Sequence, residues 1–305
     1  MLNVFFDHYL SYCRLLSLSE NSIKELLRYI RQLENFLFTH GSDQLFNLQY
    51  KHLAAFAISN KAGPNTIKAR IWAMKKFFAF LQITGHIKVN ITEGLNPPKI
   101  PKKETRFLSG PELKVIFDDL AENINKTNGL RDLLIIVLMA VCGLRKSSVA
   151  ALDLEHFDRI GMQLFVTEKG SPSLRPIRVP WAVCVLIREH IYRCDIKDGA
   201  LFINRKGKRL HADGINKIVD QLKNRLIEKG CDFAAMLHPH IFRHSAATQL
   251  NEVAGFSITK EMLGHRNAQN TRKYIHLSPT CYSEYMKRHP WFKYNQKESI
   301  YHEQP

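Results

Sequence analysis

His240, Arg243, His265 and Tyr274 set two imidazoles, a guanidinium and a phenol within 35 residues of one another. His240 and Arg243 are three apart, so on a helix they share a face and can grip one anionic group from two sides. The 21 residues between Arg243 and His265 suffice for a helix, a turn and a second short helix. After His265 a polar and basic run, Arg266 to Lys273, leads to Tyr274. A phenol beside cations is a candidate nucleophile toward phosphate, because positive charge favours the phenolate. Each piece also has an ordinary reading: His-x-x-Arg as a surface pair or helix cap, and Tyr274 as a half-buried or interface tyrosine. Their order and spacing carry weight only together with two cations upstream, Arg145 and Lys169.

Those two must be positioned by the elements around them. Leu133 to Leu144 is an apolar run of 12 residues, which suits a buried helix and is too short to span a bilayer. Gly143 breaks it, and Arg145 stands at the junction with a new helical pattern. There it can satisfy the last carbonyls of the preceding helix or be aimed at an anion. Leu164 to Pro180 reads as a β-hairpin with Lys169 entering the turn, either as a solvated loop residue or as a group of the site. Helical patterns follow over Trp181 to Cys194 and Gly214 to Lys229, with Leu201-Phe202-Ile203 as a short strand between them.

The first third is helical throughout. Helices are expected over residues 3–16, from about Ser19 to Gly41, over 48–60, and from Asn65 onward. The last carries Ile67, Ile71, Met74, Phe77, Phe78 and Leu81 on one side, with Lys68, Arg70, Lys75 and Lys76 off that stripe. Those four cations are either a solvated face or a surface toward DNA. Pro97, Pro98 and Pro101 then forbid a continuing helix or a central strand, which marks an extended linker. Its Lys99, Lys102 and Lys103 can follow a phosphate backbone, with plain solubility as the competing explanation. The expected division is residues 1–95, a linker over 96–106, and 107–305. Ser109 is the expected cap of the first helix beyond the linker.

Composition narrows the partner. A formal charge of +16 on 305 residues favours a polyanion, with nucleic acid first. A hydrophobic content of 45% is too high for a disordered basic tail. The six cysteines show no zinc spacing and read as reduced thiols of a cytoplasmic protein. The N-terminal residues lack a signal peptide's basic start.

With Arg145, Lys169, His240, Arg243, His265 and Tyr274 in this order, the chain resembles the tyrosine recombinase (phage integrase) family, and within it the Xer-like members. Gly143-Leu144-Arg145 matches the first arginine motif, Lys169 the hairpin lysine, and His240-x-x-Arg243 the second arginine box. Leu263-Gly264-His265 lies nine residues before Tyr274, as in that family, and His289-Pro290 also fits. One position departs from the pattern: Ser148 stands where an acidic residue is common, in a role expected to be orienting Arg145 or the neighbouring histidine.

The resemblance implies a mainly α fold. A helical core-binding (SAM-like) DNA-clamp domain would precede a mostly helical catalytic domain with a small antiparallel sheet and a C-terminal tail helix. It implies site-specific strand exchange in which Tyr274 attacks phosphorus to leave a 3′-phosphotyrosyl link and a free 5′-hydroxyl. Arg145, Arg243 and His265 would hold the non-bridging oxygens, and Lys169 would protonate the leaving oxygen, with Arg175 in reserve. His240 would act as base or hold the phosphate, and the sequence does not separate these. No cofactor and no metal are implied. The partners implied are double-stranded DNA and three further copies, a homo-tetramer on two DNA sites. The tail residues Tyr282, Tyr285, Met286, Trp291 and Phe292 would pack on a neighbour or fold back on their own domain. A need for accessory proteins or a second recombinase stays open. Two rival functions are a type IB topoisomerase-like activity and a catalytically impaired DNA-binding relative.

Overall fold

The computed structural model describes residues 2–41, 48–100, 106–167 and 173–263. Lys102, Lys103, Lys169, His265, Tyr274 and the tail aromatics, all singled out above, lie outside them. The chain divides into two compact units, Met1–Lys103 and Glu104–Pro305.

The first unit is built from helices α1 (Phe6–Leu15), α2 (Glu20–Thr39), α3 (Tyr50–Ile58) and α4 (Pro64–Ile83). Ser19 caps α2 by accepting from the Ser22 amide, the bond that a serine before an apolar-periodic run is suited to make. Ile23, Leu26, Ile30, Leu33 and Leu37 of α2 are buried at three- and four-residue steps, as the sequence spacing predicts. They share a core with Tyr9, Phe56, Met74, Phe77 and Leu81, in which Tyr9 and Phe77 meet edge to face at 5.0 Å.

Arg70 corrects the expected DNA-facing set. It is buried, and its Nη1 donates to the carbonyls of Phe56 (2.9 Å), Ala57 (3.3 Å) and Ser59 (3.0 Å). These carbonyls lie at the end of α3; those of Phe56 and Ser59 also accept from the Ser59 and Ala62 amides, and the guanidinium adds a charged donor to all three. Lys68 and Lys99 are exposed, and Lys75 and Lys76 are half-buried.

The second unit forms around α6 (Gly129–Ala140), whose residues from Leu133 to Ala140 are all buried. Against it pack α5 (Gly110–Glu122), the five-residue α7 (Lys146–Ala150), α8 (Trp181–Arg193) and α10 (Pro239–Leu263). α9 (Ala212–Glu228) lies on α5 and α7. Asp119 of α5, 2% exposed, accepts from Arg225 of α9 at 2.7 Å and lies 3.0 Å from Lys229, so a buried carboxylate gets the cations it needs. The sheet is antiparallel, in the order β1 (Phe157–Asp158), β2 (Gln163–Thr167), β3 (Leu174–Arg178), with Thr167 opposite Leu174. Lys169 therefore falls in the β2–β3 connection, as expected for a hairpin. Mostly helical with one small antiparallel sheet, this is the expected fold class.

Leu201-Phe202-Ile203 differs from expectation. Among the described residues only two isolated bridges form there, Asp153 with Ala200 and Ile203 with Arg209. The chain turns back at Gly207, φ +72°, before a ladder can grow.

Candidate active site

The first turn of α10 carries His240 and Arg243, and the helix is started by two neighbouring residues. Pro239 occupies the first helical position, where a missing N–H costs nothing, and His238 Nδ1 accepts from the Ile241 amide at 2.9 Å. The helix runs for 25 residues with one break at Gly255, φ +77°. That matches the expected helix, turn and short second helix, and it brings Leu263 back toward Arg243.

Arg243 is 6% exposed, and one terminal nitrogen donates to the carbonyl of Gly143 while the other donates to that of Leu263 at 2.7 Å. One side chain thus ties together the three stretches singled out in the sequence: Gly143-Leu144-Arg145, the His240 box, and the start of Leu263-Gly264-His265. Gly143 permits this closeness. Its φ of +64° is a left-handed conformation, and a Cβ there would stand 2.4 Å from Leu263 Cδ2.

Arg145, half-buried, caps the start of α7 with its backbone in an extended conformation, and its neighbour Lys146 donates to Asn216 of α9 at 2.8 Å. Arg145, His240 and Arg243 all line one cleft of about 400 Å³, together with Arg106, Met236, His238, Ile241, His244, Ala247 and Leu263. Three of the six expected catalytic residues are therefore brought together, and the other three lie outside the described residues. Partial burial in the cleft, then the nearby His244, Arg243, His238 and Lys146, hold His240 below the ordinary histidine value. Burial followed by His238 and Arg243 does the same for His244, whose ring centroid is 6.0 Å from that of His240. Both imidazoles thus favour the neutral form, which keeps a nitrogen lone pair for accepting a proton.

Ser148 has an unexpected partner. The hydroxyl is buried and donates to the carbonyl of Thr167, the last residue of β2, at 2.8 Å. It thereby ties α7 to the end of β2 rather than to Arg145. Arg175 is half-buried on β3, opposite Val166.

Sequence reasoning missed three cleft residues. His244 follows Arg243 directly and shares the His240 face at four residues' spacing, a signal that was present; His238 and Arg106 carried none. Elsewhere among the described residues, Asp153, Glu155 and His156 hold ligand-type atoms within 4.8 Å of one another. Two of them are already engaged: Asp153 pairs with Arg209, and His156 Nδ1 accepts from the Asp153 amide at 3.1 Å. No described helix is long and apolar enough to cross a membrane.

The arrangement gathers fixed positive charge and neutral imidazoles around an open cleft, which suits an oxyanion such as a phosphodiester. Residues 106–280 match the family described as "Phage integrase family". The chain is similar to the tyrosine recombinase XerC of Salmonella typhi, 30% identical over 263 residues that cover 83% of this chain and 84% of that protein. In fold it is similar to the Tn1549 transposon integrase in complex with transposon right end DNA. That pair has a TM-score of 0.69 and 17% identity, covering 93% of this chain and 98% of the other. It is also similar to lambda integrase in a tetramer bound to a Holliday junction, with a TM-score of 0.66 and 15% identity over 91% of this chain and 80% of the other.

Proposed function

The chain belongs to the phage integrase family and is a tyrosine-type site-specific DNA recombinase, and from that premise we propose how its residues divide the reaction. The observation that carries the proposal is the Arg243 guanidinium, bonded to the carbonyls of Gly143 and Leu263 in a cleft shared with Arg145 and His240.

Arg145 and Arg243 hold the non-bridging oxygens of the scissile phosphate. Their forks match its geometry. Arg243 does this from a rigid seat, so little reorganisation is needed as charge grows in the transition state. His265 adds a hydrogen bond to the same oxygens. The Tyr274 oxygen attacks phosphorus, and the bond from phosphorus to the 5′-oxygen breaks. The phenolic proton leaves to a base, and the depressed pKa of His240 supports that role for it. Lys169 supplies the proton that the departing 5′-oxygen takes up. The 3′-phosphotyrosyl ester keeps the energy of the broken bond, so attack by a 5′-hydroxyl of a second duplex reverses the steps and completes exchange.

The partners follow from the same reading. Duplex DNA is the substrate, bound by Lys68, Lys75, Lys76, Lys99, Lys102 and Lys103 of the first unit and linker, which serve as a core-binding clamp. Four copies act on two sites, a reading supported by the similar fold of lambda integrase, which is a tetramer when bound to a Holliday junction. The tail beyond Tyr274 makes contacts between copies, and the reaction takes place in the cytoplasm. The test is a plasmid carrying two copies of the site: recombinant circles support exchange, whereas relaxed plasmid without recombinants would mean a topoisomerase.

A further inference from the structure

Leu108 is held onto α10 with more care than a linker end requires. Leu108 is fully buried, its amide donates to Ser245 Oγ at 2.8 Å, and its carbonyl accepts from Gln249 Nε2 at 3.3 Å. Ser245 and Gln249 are themselves 0% and 5% exposed, so α10 buries two polar side chains that bond this one residue. A buried polar group without a partner is costly, so the pairing fixes the backbone here firmly. The next residue, Ser109, closes a capping box with Glu112, accepting from its amide while Glu112 Oε2 accepts from the Ser109 amide at 2.7 Å.

Arg106 stands two residues before Leu108, and it lines the same cleft as Arg145, His240 and Arg243. Its side chain is 71% exposed, whereas Arg243 is 6% exposed, so Arg106 belongs to the mouth and Arg243 to the floor. Glu112 Oε1 lies 4.0 Å from Arg106 Nη2. A pair at that distance with its cation in solvent orients the guanidinium but binds it weakly, so it can be given up to a phosphate.

We propose that Arg106 is a further substrate-binding residue of the recombinase: it takes the phosphate beside the scissile one and fixes the register of the strand across the cleft. The inference rests on the reading of this cleft as the strand-cleavage site. Arg145, Arg243 and His240 surround one phosphate on the floor, and a polyanion lying across the mouth presents its neighbour to Arg106.

The test is equilibrium binding to duplex DNA as a function of salt, using the full chain with Tyr274→Phe so that no cleavage intervenes. Each phosphate neutralised adds about 0.9 to the steepness of log K against log salt. Arg106→Ala should therefore flatten the slope by about 0.9 with an unchanged melting temperature, and Arg106→Lys should restore the slope. Glu112→Gln keeps the capping box while removing the charge, and it should leave the slope unchanged. An Arg106→Ala slope equal to that of the parent would overturn the inference, as would a Glu112→Gln slope reduced to the same extent. A reduced slope in Arg106→Ala from a wild-type chain that forms no tyrosyl adduct would uphold Arg106 as a phosphate ligand while removing the assignment of Tyr274.

Discussion

Arg243 Nη2 donates to the carbonyl oxygen of Leu263 at 2.7 Å, across 20 residues of sequence and a helix break. Because Nη1 donates at the same time to Gly143, the guanidinium fastens its own pocket, in addition to the phosphate-binding role proposed for it. Lysine cannot imitate this, having one nitrogen at the end of a flexible stem in place of a planar fork. Arg243→Lys should leave one of two carbonyls unsatisfied, at about 1–3 kcal/mol by urea unfolding. It should also slow single-turnover cleavage by about 10²-fold or more, on the scale of losing one donor to a developing oxyanion. Unchanged stability with slowed cleavage would mean that the two carbonyl bonds contribute nothing.

Ser148 makes a second prediction. Its hydroxyl holds the end of β2, so Ser148→Ala should loosen the turn that bears Lys169 and slow proton delivery to the leaving oxygen. A substrate with sulfur in place of the 5′-bridging oxygen expels a thiolate, which needs no such proton. The Ser148→Ala defect, at most about 10²-fold within the range typical of general acid catalysis, should then largely disappear on the sulfur substrate. An equal defect on both substrates would show that Ser148 serves the arginines instead.

Acidity should act through the cleft imidazoles. His240 and His244 have folded pKa values below the ordinary histidine value, so the unfolded chain binds more protons between the two. Their contribution to stability is present above about pH 6.5 and is lost as the pH falls through the depressed folded values. The melting temperature should therefore drop on acidification below that point. His240→Gln combined with His244→Gln should flatten the drop; parallel profiles for the two proteins would contradict the assignment.

Arg70 should behave as a structural residue. Arg70→Ala removes a buried charged donor shared by three carbonyls and should cost about 2–3 kcal/mol of stability, given that hydrogen bonds from charged groups are the stronger kind. Lys68→Ala, at an exposed position, should leave stability unchanged while flattening the salt dependence of DNA binding. A stable Arg70→Ala chain with weakened DNA binding would return Arg70 to the DNA-facing set.

These residues show where the sequence was legible. The grouping of His240 with Arg243 follows from helical spacing alone, and the burial of α6 follows from an unbroken apolar run. Arg70 was misread because periodicity gives the angle of a side chain around its own helix but not what covers that angle. Here the covering group is the end of α3. Arg106 was invisible for a related reason: what holds the backbone beside it is Ser245 and Gln249, 137 and 141 residues away from Leu108. Ser148 was noticed as a departure, but its partner Thr167 is reached only through the sheet. Leu201 to Ile203 had the composition of a strand and lacked a partner long enough to pair with.

The proposed mechanism has Tyr274 form the covalent link to DNA, with the Arg145, His240 and Arg243 cleft holding the phosphate. The most direct test incubates purified protein with nicked duplexes from the DNA flanking its own gene and looks for adducts that survive denaturation. The wild type should give an adduct whose DNA is joined through a 3′-phosphate, and Tyr274→Phe should give none. Arg243→Ala should lower its yield by about 10²-fold or more. An adduct that persists in Tyr274→Phe would rule out Tyr274 as the nucleophile, and the absence of any adduct on DNA the protein binds would rule out covalent cleavage.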